Sequence, residues 1–175
     1  MNEIDVFIQW IISSISQNIY PGVFLAALVE TVFPPIPSEV VFPLAGYSIL
    51  KNEMSVFHVI GVGIAGGCGS TVGAILIYVI SKKIGRSGLI KYLKYAKIKE
   101  DSLKKADHWF EKYGDKSVII GRVIPGIREL VSIPAGIFNM NLIKFVIFTL
   151  VGSCIWSTAL TGAGYYFGIA TLNIF

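Results

Sequence analysis

The sequence predicts an all-α integral membrane protein, a helical bundle in which two broken, re-entrant hairpins insert from opposite sides, inverted-repeat-like, beside two spanning helices. Three observations lead there. Of 175 residues, 54% are hydrophobic and only 15% are charged, and the mean hydropathy is strongly positive, too apolar for an ordinary soluble domain. Two long stretches, residues 55–80 and 142–172, lack Asp, Glu, Lys and Arg apart from Lys144. Two others, residues 22–50 and 117–140, are apolar but interrupted by Pro and Gly and carry charges, so neither can run as one continuous helix. Residues 1–175 are read as a single membrane domain.

Taken in order, residues 4–18 place Ile4, Phe7, Ile11 and Ile15 at helical spacing, with Trp10 able to anchor at headgroup level. An interfacial or partly inserted helix is expected there. The first basic residue is Lys51 and the opening carries Glu3 and Asp5, so no leader with a basic start is expected. An unbroken helix over residues 22–50 would reach about 43 Å, longer than the ~30 Å hydrocarbon core. Pro34, Pro35, Pro37 and Pro43 divide it, which predicts a hairpin of two short helices that enters and leaves on one side, with Gly46 among the residues that shape it. Residues 55–80 can span. Their Gly61, Gly63 and Gly66 match a dinucleotide-binding spacing, but without a preceding strand the small residues read as helix-packing positions, like Gly69 and Gly73.

The net charge of +4 hides an asymmetry. Residues 81–116 hold 11 of the 15 Lys and Arg against five acids, a local charge of +6. A basic loop between apolar segments is expected on the cytoplasmic side, which orients the protein in the cell membrane. It contains a soluble helix near residues 99–113, ended by Gly114. Anionic headgroups account for its charge, and no nucleic-acid partner is expected. Cys68 and Cys154 lie in apolar segments without metal spacing and read as small buried hydrophobes. No metal or cofactor is expected.

The chemistry concentrates in the two broken segments. In Gly121–Gly136, GRVIPGIRELVSIPAG, the charges Arg122, Arg128 and Glu129 stand among Pro125, Gly126, Pro134 and Gly136. An ionisable side chain at bilayer depth costs roughly 2.5–3.5 kcal/mol on insertion scales, so such residues face a cavity or partner and mark function. The first segment repeats the pattern with opposite sign: PSEVVFPLAG from Pro37, with Glu30 and Glu39. Short Gly/Pro-broken segments in corresponding halves point to a transporter-like site. There, Arg122 and Arg128 suit a phosphate, because the guanidinium fork donates paired hydrogen bonds and stays charged when buried. Glu30 and Glu39 are the candidate proton-coupling groups. A structural ion-pair latch would use the same four residues.

At these residues the chain resembles the DedA family, also described as VTT-domain proteins. The resemblance rests on ETVFPPIPSEVVFPLAG (Glu30–Gly46), GRVIPGIRELVSIPAG (Gly121–Gly136) and IYVISKKIGRSG (Ile77–Gly88). It implies a polytopic protein with two opposed re-entrant hairpins that transports lipids, in bacteria undecaprenyl phosphate or other phospholipids. It further implies that Glu39, Arg122 and Arg128, with Glu30, are functional charges. Glu129 and the neutral run Gly69, Ser70, Thr71 depart from many members.

The expectation is therefore a flippase for a polyprenyl phosphate or related phospholipid, with lipids and protons as partners and self-association allowed. The alternative is a proton-coupled exchanger of small ions or cationic compounds, with the arginines as internal counter-ions. An enzyme is not expected, because His58 and His108 have no ligand-like or catalytic companions.

Overall fold

The computed structural model describes residues 18–32, 38–95, 100–124, 127–128 and 130–172. Expectations for residues 4–17 and for Pro34, Pro37, Pro125, Gly126 and Glu129 fall outside them. The described chain is helical: α1 (Ile19–Val32), α2 (Ser38–Lys51), α3 (Phe57–Tyr95), α4 (Glu100–Tyr113), α5 (Lys116–Arg122), α6 (Ser132–Ile137) and α7 (Leu142–Leu172). No strand occurs among the described residues.

Helices α1 and α2 have 14 residues each, about 21 Å at 1.5 Å per residue, and are too short to cross a ~30 Å core alone. Pro21 falls in the first turn of α1, where no intrahelical N–H is needed. Pro43 lies inside α2 rather than at a break. It removes the bond that the Glu39 carbonyl would otherwise accept. Two helices are long and apolar enough to cross a membrane, Phe57–Gly85 within α3 and Leu142–Gly168 within α7. The first runs five residues past the boundary at residue 80 drawn from sequence. It ends at Gly85, whose φ of 64° and ψ of −172° belong to a backbone region essentially confined to glycine. Helix resumes to Tyr95, so much of the basic region expected as loop is helical, in keeping with the helix preference of its Lys and Leu residues.

Both long helices turn apolar stripes outward. On α3, Ile60, Ile64, Val72, Leu76, Ile80 and Ile84 are exposed; on α7, Ile143, Ile147, Val151 and Ile155 recur every fourth residue. Such faces are unfavourable in water and suit acyl chains. The two stripes suit the lipid-facing surface of a membrane protein.

The short helices interlock with the long ones in a reciprocal manner. Helix α1 lies along α3 while α2 lies along α7; α5 packs on α7 while α6 packs on α3. Glycines permit each approach. A Cβ at Gly69 of α3 would strike the Phe24 backbone of α1, and one at Gly152 of α7 would come within 2.7 Å of Arg122 Cβ on α5. A Cβ at Gly46 of α2 would strike the Thr161 backbone of α7, and one at Gly136 of α6 the Tyr78 carbonyl of α3. Positions 69 and 152 on the long helices, and positions 78 and 161, are both 83 residues apart.

Two buried clusters flank the middle of α3. One joins Val23, Ala27, Val41, Phe42, Ile49, Val59 and Val62. The other joins Ala74, Tyr78, Phe110, Val118, Val131 and Phe145, with Tyr78 stacked on Phe145 at 4.7 Å and its hydroxyl donating to the Met140 carbonyl. The amphipathic α4 docks through Phe110, stacked on Phe138 at 5.2 Å.

The glycine contacts predict a position-specific cost. Gly46→Val forces a side chain into the α7 backbone and is expected to destabilise by at least the 1–3 kcal/mol typical of overpacking. Gly162, whose Cβ would meet only Val59 at 3.7 Å, should accept Ala. Thermal unfolding in detergent measures both; equal midpoints for the two variants would contradict this packing.

Candidate functional site

Glu30 sits near the C-terminus of α1, where the helix dipole disfavours a negative charge, and it is 1% exposed. Its position is made tolerable by Arg128, whose Nη2 donates to Glu30 Oε1 in a buried ion pair. Arg128, 8% exposed, belongs to the segment joining α5 to α6. The Arg128 amide donates to the Ile124 carbonyl at 3.1 Å, and the Leu130 and Val131 amides donate to the Ile127 carbonyl. These bonds fold the segment into tight turns that aim Arg128 inward. The guanidinium also lies over the Trp156 ring of α7, 5.6 Å from its centroid, within the range of a cation–π contact.

Arg122 is the last residue of α5, where the helix dipole favours a cation. It is 4% exposed, and its stem fits the notch left by Gly152. Nη2 donates to Ser132 Oγ, 2.7 Å away at the start of α6. Arg122 thus clamps the two arms of the second broken segment, while Arg128 ties that segment to the first.

The site lies halfway along both long helices. Gly73 abuts Thr31, the neighbour of Glu30, at a Cβ distance of 2.9 Å, and Trp156 carries Arg128. Each is within two residues of the centre of its apolar stretch, 57–85 or 142–168.

The four charges picked out from sequence are not all gathered. Glu30 and Arg128 meet, Arg122 is held on the same broken segment as Arg128, and Glu39 is exposed in the first turn of α2. No hydrogen bond or ion pair joins Glu39 to another described residue, and a carboxylate is favoured at that helix terminus by the dipole alone. Of the shape-determining residues, Gly46 and Gly136 make the close approaches described above, Pro43 and Pro134 lie within α2 and α6, and the other four are outside the described chain. Ser132 and Trp156 were not singled out by sequence reasoning. Ser132 stood within the second motif, and Trp156 lies mid-segment rather than near a membrane interface, where tryptophan is usual.

His58 and His108 are elsewhere. The Nδ1 of His58 is 3.0 Å from the Ser55 carbonyl and its ring stacks on Tyr20; His108 is exposed on α4. Among the described residues, no three His, Cys, Asp or Glu side chains are grouped to hold a metal ion.

Residues 36–166, which contain the Gly121–Gly136 motif whole, the first motif from Ile36 onward and the site apart from Glu30, match the VTT domain. The chain belongs to the VTT-domain family. Its relatives include two proteins named undecaprenyl phosphate transporter A. The one from Staphylococcus aureus is 35% identical, the match covering 87% of this chain and 75% of that protein. The one from Bacillus subtilis is 37% identical, covering 85% and 72%. A Lactococcus lactis relative named alkaline phosphatase-like protein is 36% identical, covering 90% and 75%. No solved structure matches the chain.

The pairing of Glu30 with Arg128 predicts strong thermodynamic coupling. Removing one member of a buried pair strands the other charge and typically costs about 3–5 kcal/mol, whereas replacing both costs less. Arg128→Gln alone should therefore unfold in detergent well below the Glu30→Gln, Arg128→Gln double variant. Additive losses in a double-mutant cycle would show that the two side chains are not coupled.

Proposed function

We propose that this VTT-domain protein moves a polyprenyl phosphate, of undecaprenyl type, or a related phospholipid across the cytoplasmic membrane, with Arg122 and Arg128 receiving the phosphate. The observation that carries the reading is the buried Arg128–Glu30 pair beside Arg122, at mid-span, where two broken segments meet. A carboxylate at Arg128 and a phosphate oxygen present the same chemistry to a guanidinium. Glu30 is then an internal surrogate that occupies Arg128 until the headgroup displaces it or a proton neutralises it. Only the headgroup needs enclosure, because the prenyl chain remains among acyl chains along the exposed stripes of α3 and α7. The undecaprenyl phosphate named for two relatives supports this substrate class.

The broken segments are assigned as opposed re-entrant hairpins, 22–50 and 117–140, related by an approximate internal two-fold. In support, α1 and α2 are each too short to span, the packing of α1, α2, α3 repeats in α5, α6, α7, and the glycine approaches recur 83 positions apart on the long helices. Charged sites between such repeats, near the midplane, fit alternating access to the two leaflets. The basic region 81–116 then faces the cytoplasm by its charge. Protons are coupled through the two carboxylates, Glu30 at the buried pair and Glu39 on the exposed start of α2. The reading needs no hydrolytic chemistry, and His58 and His108 lie away from the arginines.

Transport in proteoliposomes tests the proposal: a labelled prenyl phosphate should become accessible on the far leaflet. Arg128→Lys keeps the charge but loses the bidentate fork, and transport should fall by at least tenfold, on the order of 1.4 kcal/mol, with the protein still folded. Glu30→Gln should flatten the pH dependence of transport. A pH-linked ion flux without lipid movement would instead establish the exchanger, and wild-type rates in Arg128→Lys would remove the phosphate clamp.

A further inference from the structure

Trp156 stands against Arg128 with one polar atom unused. Its Nε1 is buried and has no hydrogen-bond partner. The buried hydroxyls of Ser38, Ser81 and Ser117 are also without partners, whereas others turn back onto their own helix. Thr31, Thr71 and Thr161 each return their hydroxyl to the carbonyl four residues earlier, at 2.7–2.8 Å. An indole cannot fold back onto its own helix in that way, so its N–H needs a partner from elsewhere. Two turns earlier on the same side of α7, Thr149 Oγ1 is also buried and unpaired. Gly152, between them, is the notch that admits Arg122. The stripe of α7 that faces the two arginines therefore carries two polar groups without partners.

Resting on the reading of the arginines as a phosphate site, we infer that Trp156 is a bifunctional residue of that site. Its ring face positions the Arg128 guanidinium, and its Nε1–H donates to an oxygen of the bound phosphate monoester. A phosphate carries several acceptor oxygens, more than the two guanidinium groups saturate when one is also bonded to Ser132. A neutral donor adds a hydrogen bond without adding charge that would hold the headgroup too firmly for release. It also discriminates by acceptor: an alcohol headgroup offers no anionic oxygen to the indole. When Arg128 changes partner from Glu30 to phosphate, the ring keeps the guanidinium in place, because a cation–π contact uses the ring face and leaves the N–H edge available.

The full-length protein labelled at indole nitrogen provides the test, with Trp156→Phe assigning the Trp156 resonance among the three tryptophans. Farnesyl phosphate, a short polyprenyl phosphate, should move that N–H signal downfield, whereas farnesol should not. Inorganic phosphate in a third arm tells whether the headgroup suffices alone; a downfield shift from it also supports the assignment. Trp156→Phe keeps an aromatic face and loses the donor, so farnesyl phosphate binding should weaken by roughly tenfold or more, as for hydrogen bonds to charged groups, with an unchanged melting temperature. Trp109→Phe, on α4, should bind as the unsubstituted protein does. A Trp156 resonance that ignores farnesyl phosphate, or follows farnesol equally, overturns the inference, as does undiminished binding by Trp156→Phe. Absence of farnesyl phosphate binding by the unsubstituted protein overturns both this assignment and the phosphate site on which it rests.

Discussion

Burying the Glu30–Arg128 pair is the constraint on which the rest of the structure depends. Taking two charges out of water costs several kcal/mol per ion, and their mutual attraction compensates only when geometry is fixed and their remaining polar atoms are served. In this protein the geometry is fixed by elements far apart in sequence. Glu30 comes from the end of α1, Arg128 from the turns between α5 and α6, and the Trp156 ring beneath Arg128 from the middle of α7. An approach of α1 to α3, or of α5 to α7, looser by the width of a methyl group would separate them.

That closeness explains the distribution of glycine. In lipid, the hydrophobic effect does not drive helices together, so contact comes from backbones approaching until dispersion and polar interactions become effective. Gly69, Gly73 and Gly152 admit the short helices that bear the charges, while Gly46 and Gly136 hold the opposite arms against α7 and α3. The apolar stripes facing outward on the long helices do a separate job, matching the surroundings. Stability and site geometry thus use different faces of the same two helices.

The arrangement also bears on function. A pair that joins two broken segments can act as a latch or as a site whose occupant exchanges, and the chemistry of its partners separates these roles. A latch would have every polar group satisfied internally. Around Arg128 and Arg122 the α7 face instead keeps an indole N–H and a threonine hydroxyl without partners, an arrangement suited to an arriving anion. The relatives named as undecaprenyl phosphate transporters make that anion a lipid phosphate in the proposed reading.

The sequence by itself determined the all-helical class and the membrane environment, carried the family resemblance in its motifs, and marked the charged, Pro/Gly-broken segments as candidates. Class, environment and candidates follow from local quantities: long runs without charge, prolines that cannot continue a helix, and carboxylates and guanidiniums too costly to bury without purpose. Gly114, with a φ of 55°, follows the helix Glu100–Tyr113, a stop that glycine signals locally. Only the tertiary structure decided which charges meet. Glu30 and Glu39 were equivalent candidates by composition, yet they lie on opposite sides of a Pro-rich break, and the rotation of each helix about its axis sends one inward and the other to the surface. Trp156 was illegible for the same reason. Its role depends on facing Arg128, a residue 28 positions earlier on another element, and no periodicity within α7 encodes the direction from which that partner arrives.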